Sequence, residues 1–241
     1  MDSGPDSLTA SSERRLPRNL LVTAITAAVL AIWVTVQGGS DGGETLPERP
    51  TIYEGATGYK WLSTQPYDAT VPVTYDHCKP IVVSLNPVSA PPEGERLVRE
   101  TMRDIAQVSG FRLEWGGHTS DRPLKMRRYG PVTVTWTEEA EMDNMTEDVA
   151  GRGGSTYLQL EGERRWYTTG QIYLSAPYFA QLSRDGREGA MRGILRHEFG
   201  HVLGLDHVED PSSVMASGSA SWKFSRDDLS ALAILGTQPC G

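Results

Sequence analysis

The stretch "HEFGHVLGLDH", residues 197–207, holds three of the chain's five histidines in the spacing H-E-x-x-H-x-x-G-x-x-H. In a helix, positions i and i+4 lie one above the other on one face. His197 and His201 can therefore aim ring nitrogens at one ion, about 2.0–2.1 Å away. Glu198 is rotated by about 100°. That keeps it out of the coordination shell and near a water held on the ion, where a general base must be. Gly204 can take a positive φ, end the helix and reverse the chain, which would bring in His207 as a third nitrogen. Three protein ligands leave a fourth position for water, the mark of a catalytic rather than a closed structural zinc. An isolated H-E-x-x-H arises by chance in helices; the third histidine and the turn glycine at their offsets make chance a poor account.

Working outward, "REGAMRGILR" (187–196) carries Met191, Ile194 and Leu195 as a buried stripe that continues through Val202 and Leu203. Asp185 with Glu188 three residues later predicts a capping box at the start of this helix. A last helix is expected from Ser225 as N-cap, through Leu229, Leu232 and Leu235, to Gly236 as its stop. Upstream, "PIVVSLN" (80–86), "FRLEW" (111–115), "PVTVTWT" (131–137), "STYLQL" (155–160) and "GQIYLS" (170–175) read as strands. A helix carrying Leu97, Met102, Ile105 and Val108 falls between the first two and stops at Gly110. The Gly-rich "AGRGGS" reads as the end of a loop. The fold class expected is α+β. Residues 51–77, rich in tyrosine, are expected to drape over the domain. Trp115, Trp136 and Trp166 read as core or sheet-face residues, and His77 and His118 as surface or structural ones.

The chain divides into a polar tail with three arginines (1–19), an apolar run (20–36), a Gly- and acid-rich linker (37–50) and one large domain (51–241). The 17-residue run "LLVTAITAAVLAIWVTV", basic on one flank and acidic on the other, is a signal anchor or a signal-peptide core. Both export the domain, in one case membrane-anchored with a cytoplasmic N-terminus and in the other secreted. The net charge is −8 with no Lys/Arg cluster, which argues against a nucleic-acid partner. In an oxidising compartment Cys78 and Cys240 are expected to pair; two free thiols, or a thiolate on a metal, are the alternative. The carboxylates Glu138, Glu139, Glu141, Asp143, Glu147 and Asp148 offer oxygen ligands for calcium. They lack the EF-hand order, and a solvated acidic loop is the simpler reading. Asn144 opens a glycosylation sequon.

At residues 197–207 the chain resembles the metzincin clan of zinc endopeptidases and, within it, the matrixins. "DPSSVMAS" offers Met215 eight residues after His207 as the clan's methionine turn, and the order of elements is similar to a matrixin catalytic domain: a twisted mixed sheet, the active-site helix, the Met turn and a C-terminal helix. The resemblance implies His197, His201 and His207 as ligands of one Zn2+, and Glu198 as general base acting on a zinc-bound water. It also implies Met215 as the floor of the site, "STYLQL" as the edge strand that pairs with a protein or peptide substrate, and the segment after Met215 as the wall of the specificity pocket. Asp206 is the rival third ligand, since some relatives use Asp. No stretch matches the matrixin latency motif. An extracytoplasmic zinc-binding regulatory domain without turnover is the alternative function; the intact Glu198 argues against it.

Overall fold

The computed structural model describes residues 44–122, 127–138, 141, 149–158, 164–218 and 221–241. The tail, the apolar run, most of the linker and most of the acidic loop, Asn144 included, lie outside them.

A five-stranded mixed sheet forms one layer. Its strands are β4 (Ile81–Asn86), β5 (Leu113–His118), β6 (Val132–Thr137), β7 (Gly151–Leu158) and β8 (Trp166–Ser175), in the order β5-β4-β6-β8-β7. Four of them run parallel and β7 runs antiparallel to β8 at one edge. The central strand β6 is buried at every position, as expected where a parallel strand is covered on both faces. Alternation puts Val83, Leu85, Val134, Trp136, Ile172 and Leu174 on one face, all of them closed to solvent. Against that face pack α1 (Gly94–Ser109), α2 (Ala176–Arg184) and α3 (Glu188–Leu203), with α4 (Arg226–Gly236) behind. Trp136, fully buried, meets Phe179 of α2 edge-on at 6.0 Å.

Two expectations are corrected. Asp185 does not cap the metal helix. It closes α2, a short helix that begins at Ser175, whose side chain accepts from the Tyr178 N–H beside the proline at 177. Helix α3 starts at Glu188 without a side-chain cap. The glycines of "GRGGS" belong to β7 rather than to a loop, because the backbone pairs with β8 from Gly151 onward. Gly110 ends α1 in the left-handed region at φ 83°, and Ser225 with Asp228 forms the capping box of α4.

Gly236 is the last residue of α4, and its function is close approach: a Cβ there would collide with the carbonyl of Ser109 in α1. Gly236→Ala is therefore expected to lower stability by about 2–3 kcal/mol, read as a fall in Tm of several degrees. An unchanged Tm would contradict this packing.

The residues before the sheet do more than drape. β1 (Lys60–Trp61) pairs antiparallel with β9 (Leu205–Asp206), just after α3, and β2 (Thr64–Gln65) pairs with β3 (Asp68–Pro72). Further upstream, Glu44 forms an ion pair with Arg196 and accepts from the Phe224 N–H at 2.9 Å. Arg196 is 3% exposed and also meets Asp104 at 2.8 Å and the Trp222 carbonyl at 2.6 Å. Cys78 and Cys240 have their sulfurs at bonding distance and Cα atoms 5.8 Å apart. No helix among the described residues is long and apolar enough to cross a membrane.

Candidate metal centre

The last two turns of α3 carry His197, Glu198 and His201, all buried. Gly204 follows at φ 120°, a conformation that L side chains rarely adopt, and its N–H closes the helix onto Gly200 and His201. The chain then returns through β9 and delivers His207. Its Nε2 lies 3.2 Å from that of His197 and 3.2 Å from that of His201, with 3.0 Å between the two helical ones. Asp206 stands apart from this convergence: its Oδ1 accepts from the His207 N–H at 2.8 Å.

The outer nitrogens decide the chemistry. His197 Nδ1 donates to the Val214 carbonyl at 2.7 Å and His201 Nδ1 to the Leu205 carbonyl at 2.8 Å. With their protons committed there, both Nε2 atoms present lone pairs to one point. Facing lone pairs cannot satisfy each other, so the arrangement fits a cation. Tetrahedral zinc with about 2.05 Å bonds would hold its nitrogens about 3.3 Å apart, close to what the three rings show.

Beneath the rings Met215 is buried, and Gly200 is what lets it approach, since a Cβ there would run into the Met215 sulfur. This turn is held from α4. The buried carboxylate of Asp228 accepts from the Ser213 hydroxyl at 2.6 Å, the Val214 N–H at 2.9 Å and the Ser225 N–H at 2.8 Å. Asp228 thus fixes the carbonyl that orients His197. Partners of this kind orient the residues that would ligate a metal. Ser225 is legible in the sequence as the N-cap of α4, but nothing there singles out Asp228 or this task.

Glu198 faces β7. The Gly153 N–H donates to its carboxylate, and Arg152 lies near enough to favour its charge. Burial outweighs both and pushes the Glu198 carboxyl up to about 8. Two glycines permit the approach. A Cβ on Gly151 would come 2.8 Å from Glu198 Oε1, and one on Gly153 would overlap the Glu198 backbone carbonyl. Burial, then the neighbouring rings, lowers His197 well below 6.5; burial, then His207, lowers His201 to about 4. Burial also lowers His207, against the pull of Asp206.

These shifts predict the acid–base profile of the metal-free protein. The unfolded chain binds protons at its histidines below about pH 6.5 that the folded site refuses, so stability is full above that pH and is lost toward pH 4. His201 alone contributes a loss on the order of 3 kcal/mol. Glu198 has the opposite sign: its raised value means that stability falls as pH rises from 4.5 through about 8. Three histidines outweigh one carboxyl on the acid side, so the Tm of chelator-stripped protein should peak near neutrality. A Tm that climbs steadily down to pH 5 would contradict a neutral triad.

Residues 133–235 match the family model described as Matrixin. Over this segment the chain is similar to the matrixins. The match opens in β6 and closes in α4, so it takes in α3, the return through β9 and the Met turn, and leaves out everything up to β5. Among solved structures, archaemetzincin from Archaeoglobus fulgidus, complexed with malonate, is similar at 15% identity and a TM-score of 0.35, covering 64% of this chain and 99% of that one. No curated protein matches the chain.

Calcium finds no support among the described residues. The Glu141 carboxylate is held by Arg122 at 2.5 Å and by the Glu138 N–H at 2.8 Å, and the two groupings able to hold an ion involve histidine rather than clustered acids. The second grouping is His77 with Cys78 and Cys240. His118 pairs with Glu95 at 2.8 Å on the surface.

Proposed function

We propose that the matrixin-like chain is an exported zinc endopeptidase. In this reading His197, His201 and His207 hold the ion, Glu198 is the general base and Met215 is the floor. The observation that carries it is the convergence of three imidazole nitrogens, two of them tautomerically committed, on one point beside a buried carboxyl. Zinc, when bound there, supplies a Lewis acid that polarises the scissile carbonyl and acidifies a water. Glu198 takes that water's proton and passes it to the leaving amine. The Gly153 N–H keeps the carboxylate aimed while β7 shields it from bulk water.

Endopeptidase action is supported by β7, which among the described residues is an edge strand paired with β8. An edge strand beside the base can pair with an extended peptide by its backbone, which reads the interior of a substrate rather than its end. Export is supported by the apolar run at 20–36 with its basic flank, and by Cys78 and Cys240, read as a disulfide of an oxidising compartment.

Cleavage of a peptide library by the full chain, with and without chelator, tests this reading. Internal cuts that stop with chelator and return with zinc are expected. Zinc bound at one equivalent with no cleavage would replace the enzyme by a zinc-binding regulatory domain. Fractionation and sequencing of the mature N-terminus separate an anchor from a cleaved signal.

A further inference from the structure

The C-terminal turn of α3 leaves carbonyls without partners inside the helix, and this turn also launches the return that carries His207. Their partners come from elsewhere. The Val202 carbonyl accepts from the Ser155 hydroxyl at 2.7 Å, and that of Leu203 from the Thr74 hydroxyl at 3.2 Å. The Gly204 carbonyl accepts from the Leu62 N–H at 2.8 Å. Immediately beyond, Leu205 and Asp206 pair with Trp61 and Lys60. Gly204 itself lies against the Val73 carbonyl, so closely that a Cβ would come 2.7 Å from it. Two of the three caps, and the strand that pairs with the return, therefore come from residues 60–74. All of these precede the segment that matches the family.

The return is short. Only two residues, Leu205 and Asp206 of β9, separate His207 from the helix end at Gly204. A two-residue strand has no stability of its own. Without β1 its backbone groups would turn to water, and the position of His207 would spread over several ångströms. A metal site tolerates about 0.2 Å in its bond lengths.

Resting on the zinc reading above, we propose that residues 60–74 are a positioning strap for the metal centre. Leu62 and Thr74 close the end of α3, and β1 holds the return in the register that presents His207. The strap acts on metal affinity through the third ligand, and no residue in it touches the ion.

The test is a double-mutant cycle on the full chain. Zinc affinity is measured by competition with a chromophoric chelator, and site geometry by the visible spectrum of the cobalt-substituted protein. Leu62→Pro removes the donor to Gly204; Thr74→Val removes the hydroxyl that caps Leu203. Each is expected to lower affinity about ten- to a hundredfold with far-ultraviolet circular dichroism unchanged, and to weaken the four-coordinate cobalt bands. In a His207→Ala background neither should lower affinity further, because the ligand through which they act is gone. If Leu62→Pro does not fold, Thr74→Val carries the result. Unchanged affinity in the variants, or losses that add to that of His207→Ala, would overturn the strap. Failure of the unaltered chain to bind zinc would instead overturn the zinc reading itself.

Discussion

Replacing Glu198 by glutamine is expected to leave zinc bound at one equivalent while peptide hydrolysis falls by about a hundred- to ten-thousandfold. The amide keeps the shape of the side chain and can still accept from the Gly153 N–H, but it cannot take a proton from water. It also removes a buried acid whose pKa is raised to about 8, so the metal-free variant should lose the decline in stability above neutral pH. Two measurements therefore bear on one residue: turnover with metal, and the pH dependence of Tm without it. Equal cleavage by both proteins would remove Glu198 from the mechanism. Loss of zinc together with activity would show that the substitution had disturbed the triad instead.

The second large effect is expected at a residue with no functional group. Gly153 sits where β7 crosses α3, and a methyl group there would occupy the space of the Glu198 carbonyl oxygen. Backbone on both sides leaves no rotamer to move aside, so the strand must lift from the helix. Gly153→Ala is expected to cost about 2–3 kcal/mol or more in stability. It should also cut turnover severely, because the lifted strand takes with it the N–H that holds the carboxylate. Gly154, next in the chain, has open space around its missing Cβ, and Gly154→Ala is the control expected to be mild. If the two variants behave alike in denaturant unfolding and in cleavage, the close contact between β7 and α3 is not what the glycine serves.

The contrast between these two residues shows which parts of the molecule can be read from its sequence. The histidine stretch is legible because helical spacing and a turn glycine turn side-chain identity directly into geometry. The sheet strands are legible for a similar reason: "PVTVTWT" alternates and is β-branched, and it is a strand at Val132–Thr137. The glycines at 151–154 looked like a loop because strand formation there comes from backbone pairing with β8 and from clearance against α3, and neither leaves a side-chain signature. Helix α2 leaves little trace in the sequence, because the Ser175 and Pro177 start signal opens only nine helical residues, too few to show a period. Asp185, in a capping-box spacing with Glu188, pointed to the wrong helix because the end of one helix and the start of the next are four residues apart. The β1–β9 pairing was beyond reach altogether. It joins two dipeptides more than 140 positions apart through hydrogen bonds that any residue but proline could make.

That long-range pairing has a bearing on when the protein can begin to act. Its metal centre draws on a strand at residue 60, a helix ending at 203, a returning histidine at 207 and an aspartate at 228. A chain made from its N-terminus has no assembled site until residue 228 is out of the ribosome, because the carboxylate that steadies the Met turn follows the histidines. The three rings can therefore be held in this geometry only after those distant segments have all been made and have met.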